Sequence, residues 1–171
     1  KNKQKILDSI KEKLEKAGLK NIRFKDGSKL SDKQVNQILK DQPKNVSFLS
    51  FTDKSIGNVT PPSDYLGGTD KDRIRTVAFL GNLSSDTPDE NTLAFRTGEV
   101  ASHEIGHKLG FEATGETWGF MMRTLGFGRN DIMHEGQGIP TRRKFFDATN
   151  DVNKKAVEEV NKIGEYKPPK D

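Results

Sequence analysis

The sequence predicts a single mixed α/β (α+β) domain. Short runs of apolar and β-branched residues alternate with segments of helical period. Gly, Pro and Ser/Asp clusters mark most of the changes of period. A length of 171 residues suits one hydrophobic core rather than two. Leu, Ile, Val and Phe make up about 23% of the chain, low but above the level at which a core fails to form.

The elements follow in chain order. Ile6, Ile10, Leu14 and Ala17, with Leu7 beside them, recur at helical spacing, and Gly18 stops the pattern ahead of Leu19. Residues 1–20 thus read as a helix with one narrow apolar stripe, which simply packs on the domain or serves as an extension or linker ahead of a domain over 21–164. Residues 21–25 read as a short strand and Asp26-Gly27 as a turn. Ser31 and Gln34 have the spacing of a capping box, and Leu30 with Val35 that of a hydrophobic staple. The helix they start buries Val35, Ile38 and Leu39 and ends at Pro43. Residues 46–51 read as a buried strand. A long polar stretch follows to about Asp72, through Pro61-Pro62 and Gly67-Gly68, and loops of that length in compact domains tend to be functional. Residues 73–83 give the clearest strand. From about Thr92 to Leu109 the period is helical, with Leu93, Val100, Ala101, Ile105 and Leu109 near one face; Gly98 leaves its start open and Gly110 marks its end. Trp118, Met121, Met122 and Leu125 predict a short helix. Val152, Ala156, Val160 and Ile163 predict a last one over about 150–163, before Gly164. Residues 165–171, with Pro168-Pro169, read as a flexible tail.

Composition excludes several functions. The 29 Lys and Arg nearly balance the 25 Asp and Glu, leaving +4. No basic cluster interleaves with aromatics, so neither nucleic acid nor a membrane surface is expected as partner, and the chain reads as a monomer. The longest apolar run is four residues, 77–80, where a span needs about 20. With no Cys there is no disulfide, thiolate zinc site, iron–sulfur cluster or thiol nucleophile. A start at Lys1 rather than Met reads as a processed product or excised domain, and the first residues lack the apolar centre of a signal peptide.

One motif carries chemistry. His103-Glu104-Ile105-Gly106-His107 is an H-E-x-x-H inside a predicted helix. Residues four apart lie about 400° around a helix, so both histidines point the same way, one turn apart. Two imidazoles so placed can reach one Zn²⁺. Glu104 lies about 100° from His103 on the helix, placed to take a proton from a zinc-activated water as general base. The plainer reading is a helix whose surface happens to carry both histidines.

His103-Glu104-x-x-His107-x-x-Gly110 resembles the first eight residues of the metzincin zinc-peptidase signature, and Asn130-Asp131-Ile132-Met133 resembles that family's Met-turn. The order of elements is similar too, over roughly residues 20–163. Small bacterial matrixin-like and snapalysin-like proteases share this character, as do metallopeptidase domains at the C-termini of bacterial polymorphic (Rhs-type) toxins. The resemblance implies a small mixed twisted sheet, an active-site helix, a Met-turn and a C-terminal helix. It implies a Zn²⁺ cofactor, an extended protein or peptide substrate along a sheet edge formed by the strand at 73–83, and a secreted or delivered bacterial effector. Met133 would be a packing floor beneath the metal.

The chain departs from that pattern at its third ligand. Three residues after Gly110 stands Ala113, which cannot bind metal. His134, the one remaining histidine, follows Met133 and is the first candidate; Glu112 and Glu116 are the others. Tyr65, Arg142 and Arg143 are candidates for stabilising an oxyanion, although an exposed loop position is the simpler account of each. Trp118, Met121 and Met122 suit a helix face, or a substrate pocket wall. Asp70, Asp72, Asp86 and Asp89 lie in loops, where solvation is simpler than calcium binding.

The expectation is a zinc endopeptidase with His103, His107 and His134 as metal ligands and Glu104 as catalytic base. Two rivals stand beside it: a degenerate binding module that keeps the fold, which Ala113 favours, and an effector toxin cleaving one target protein.

Overall fold

The computed structural model describes residues 2–52, 67–69, 75–78, 83, 89–112, 131–133, 145 and 151–170. Helices α1 (Asn2–Lys16) and α2 (Asp32–Asp41) precede strands β1 (Phe48–Phe51), β2 (Gly67–Thr69) and β3 (Arg75–Ala78), and helices α3 (Glu90–Leu109) and α4 (Asp151–Asn161) follow. The fold mixes helix and strand, as expected. The short helix expected around 118–125 lies outside the described residues. Among the described residues no helix is long and apolar enough to cross a membrane.

The three strands form one sheet in the order β1-β3-β2. β1 runs parallel to β3, Phe48 opposite Arg75 and Phe51 opposite Ala78. β2 runs antiparallel to β3, Gly67 opposite Ala78 and Thr69 opposite Thr76. The strand expected at the sheet edge is therefore the central one, bonded on both sides, and the expectation that it pairs with a substrate is corrected. Its Thr76 is fully buried, with Oγ1 3.0 Å from Ser47 Oγ.

Local sequence explains most element ends. Ser31 accepts from the Gln34 N–H while the Gln34 side chain accepts from the Ser31 N–H, the capping box the spacing predicts. Ile38 is the buried residue of α2, and Val35 and Leu39 are half-buried. Asp89, at the end of a loop, is the N-cap of α3: Oδ1 accepts from the N–H of Asn91 and of Thr92, each at 2.9 Å. Gly110 ends α3 at φ 92°, a left-handed position suited to glycine, and the chain turns back so that Phe111 N–H reaches Gly106 O at 2.8 Å.

Other expectations differ from what the structure shows. Residues 21–25 form no strand: only Ile22 is half-buried, so no alternate face is hidden, and Asn21 is left-handed at φ 57°. α4 buries Asn153, Ala156, Val157 and Val160, whereas Val152 and Ile163 are exposed. The i, i+3, i+4, i+7 face holds one polar member because Asn153 makes hydrogen bonds there. Residues 165–170, expected to form part of a flexible tail, carry contacts: Glu165 with Arg23 at 3.0 Å and Lys25 at 2.9 Å, and Tyr166 Oη donating to Asp41 at 2.7 Å.

The core lies between the helices. Ile6, Ile10 and Leu14 of α1 join Ala101, Ile105 and Leu109 of α3, Val157 and Val160 of α4, and Phe111, Ile132, Met133 and Phe145 in one cluster. The apolar stripe read in the sequence at 6, 10 and 14 is thus the face that α1 lays on α3, and Gly98, buried within α3, has Ser9 of α1 against it. At this contact Lys13 is buried, donating to Ser9 Oγ at 2.9 Å with Nζ 4.1 Å from the centre of the Phe95 ring. Burial lowers its pKa, and the charge of Glu99 partly opposes that.

Candidate metal centre

α3 supplies the site. Its buried side holds Ile105 in the core, and His103 and His107 are half-buried one turn apart. Their rings meet edge to face, with centroids 4.6 Å apart and planes at 87°. The two Nε2 atoms are 3.0 Å apart.

A second segment fixes the first ring. His103 Nδ1 lies 2.6 Å from Ile132 O. A carbonyl only accepts, so the proton belongs on Nδ1, and Nε2 is left with its lone pair directed at His107. His107 Nε2–H then donates to it. This is the tautomer a metal-ligating imidazole needs, with its other nitrogen tied to a backbone carbonyl. Ile132 is held by its neighbours: Asp131 is fully buried, with Oδ1 accepting from Met133 N–H at 2.9 Å, and Met133 is fully buried as well. Met133 lies directly beneath the motif. A Cβ on Gly106 would meet its sulfur, and would come within 3.0 Å of Phe111 Cδ2. Gly106 is therefore the one residue of the motif whose missing side chain lets 131–133 reach His103.

Glu104 is 8% exposed. Its Oε2 accepts from Thr69 Oγ1 at 2.7 Å, and the same hydroxyl lies 3.0 Å from Glu104 O. β2 thus reaches the motif through its last residue. The sequence reading missed Thr69. Gly-Gly-Thr has no apolar alternation to announce a strand, and the segment reads as part of a polar loop.

The structure brings His103, Glu104 and His107 together with 131–133, the segment compared with a Met-turn. His134 and Glu116, like Ala113, Tyr65, Arg142 and Arg143, lie outside the described residues. Glu112 is exposed, and its backbone is clamped by Asn153: its N–H donates to Asn153 Oδ1 at 2.8 Å and its carbonyl accepts from Nδ2 at 3.1 Å. Among the described residues no group of three His, Cys, Asp or Glu is placed to hold a metal, so Glu112 does not join the histidines.

No protein-family model, curated protein or solved structure matches this chain. The chemistry of the donor set can be judged directly. Two nitrogen ligands at 2.0–2.1 Å from a tetrahedral zinc are about 3.3 Å apart, and the two Nε2 atoms stand at 3.0 Å. Neutral imidazole suits zinc. The spacing fits that ion with a small adjustment, and His107 binds it once its proton sits on Nδ1 rather than Nε2.

Proposed function

We propose that the chain is a zinc-dependent endopeptidase of metzincin-like fold. The observation that carries this reading is the facing pair of Nε2 atoms on an H-E-x-x-H helix, with His103 set in its metal-ready tautomer by the carbonyl of Ile132. In this reading His103, His107 and His134 hold the metal, His134 following Met133 in the chain. Zinc bound there supplies a Lewis acid and brings the pKa of water down towards about 7. Glu104 takes the proton from the attacking water and delivers it to the leaving amine. Among the described residues β2 is an edge strand of the sheet and meets α3 at Glu104, so it replaces the strand at 73–83 as the place where an extended peptide would add by backbone hydrogen bonds. A secreted or delivered effector acting on one protein is the narrower form of the same proposal.

Ala113, at the position where the resembled family has its third ligand, favours a second reading: a binding module that has lost catalysis. The experiment that separates them begins with anomalous scattering at the zinc edge from crystals grown with zinc. A peak bounded by His103, His107 and a third side chain supports the hydrolase and identifies that ligand; no peak, or a metal on two histidines alone, supports the binding module. Its functional arm is Glu104→Gln. Cleavage of labelled casein should vanish with zinc retained, and a chelator should stop the wild type. Full activity in the variant would sink the mechanism.

A further inference from the structure

We infer that Thr69 is the positioning residue of Glu104, a role that rests on the reading of Glu104 as general base. A glutamate on a helix has three side-chain torsions, and an unheld carboxylate samples many orientations. Here one of its oxygens is fixed: Oε2 accepts from Thr69 Oγ1 at 2.7 Å. Fixing one oxygen sets the plane of the carboxylate and so the direction of the other. Glu104 is also nearly buried, where a carboxylate needs hydrogen-bond partners.

The donor is itself held by structure. Thr69 is the last residue of β2 and sits opposite Thr76 of β3. Thr76 is fully buried, and its Oγ1 is 3.0 Å from Ser47 Oγ and 3.4 Å from Phe48 O. Thr69 is thus carried by a strand paired to the buried centre of the sheet. A group placed by a strand is held more closely than one on a loop. The substrate-side strand and the base are joined through the Thr69 hydroxyl, so the sheet, together with α3, orients the carboxylate.

Positioning of a base affects proton transfer and leaves substrate binding alone, so it is read in kcat and not in KM. Displacing a catalytic group by about 1 Å can cost on the order of a hundredfold in rate. In the zinc-loaded full chain, Thr69→Val should lower kcat on quenched fluorescent peptides and labelled casein roughly ten- to hundredfold, with KM and zinc content unchanged. Thr69→Ser, which keeps the hydroxyl, should recover most of the loss. A second readout needs no activity: urea unfolding of the metal-free chain carrying Thr69→Val, Glu104→Ala or both. The double variant should be no less stable than the weaker single one, because both substitutions break one interaction. Wild-type kcat in Thr69→Val, failure of Thr69→Ser to rescue, or additive unfolding effects would each overturn the role of Thr69. A zinc-loaded wild type inert on every substrate overturns instead the hydrolase reading on which that role depends, and a coupled unfolding cycle in that case leaves the Thr69–Glu104 contact as a structural link only.

Discussion

Gly106 shows how one missing side chain can shape the candidate site. Two segments meet at its Cα: Met133 from below, distant in sequence, and Phe111 from the turn that follows α3. The contact brings the carbonyl of Ile132 to His103 Nδ1. Gly106→Ala adds a methyl group where the Met133 sulfur lies, and overpacking of this kind costs about 1–3 kcal/mol. Better helix propensity returns less than that, about 1 kcal/mol at most. We expect lower stability in urea unfolding and weaker zinc binding by calorimetry, the second because His103 loses its fixed tautomer as 131–133 moves away. Unchanged affinity would mean that the Ile132 carbonyl does not tune the ligand. The motif itself was legible from residue types and spacing. Thr69 was not, because its role comes from a strand pairing that no local pattern of Gly-Gly-Thr encodes.

At the scale of elements, what the sequence made legible was whatever local chemistry decides. The capping box at Ser31 and Gln34, the glycine stop at Gly110 and the stripe of α1 follow from residues within two turns of each other. Two misreadings have nonlocal causes. The segment at 73–83 has the apolar content of a strand, but its place between β1 and β2 depends on partners far along the chain. The sequence of α4 predicts a face with the most β-branched residues, yet Asn153 takes the inner position because the backbone of Glu112 needs a donor and an acceptor there. Asn153→Leu should therefore destabilise the protein although it adds apolar bulk. Two backbone groups lose their partners, at about 1–3 kcal/mol for each that stays buried. Thermal unfolding checks this, and the zinc content of the variant reports whether the exit of the chain from α3 matters to the site. An equal or higher melting temperature would refute the clamp.

For the molecule as a whole, the two ends of the chain's surface network are joined by charge. Glu165 pairs with Arg23 and Lys25, Tyr166 donates to Asp41, and Lys44 pairs with Glu159 of α4. The Glu165 carboxyl is held below its ordinary value by its hydrogen bond to Lys25 and by the charge of Arg23, and the Glu159 carboxyl by its bond to and charge of Lys44. A depressed carboxylate stabilises the fold above its unfolded pKa, and that contribution is lost as pH falls through the folded value. The Tyr166 hydroxyl is raised by donating to Asp41, so its contribution is present below the unfolded pKa, near 10.0, and is lost as pH rises through the folded one. These groups are exposed, and each pair contributes little in salt. Glu165→Gln should accordingly lower the melting temperature by a small amount at pH 7 and low ionic strength. The difference from wild type should close as pH falls below the carboxylate range, and also as salt is added. Scans at several pH values and two salt concentrations test this. A difference that persists in acid and in high salt would show that residue 165 acts by packing, and that the tail is bound to the domain by something other than its charges.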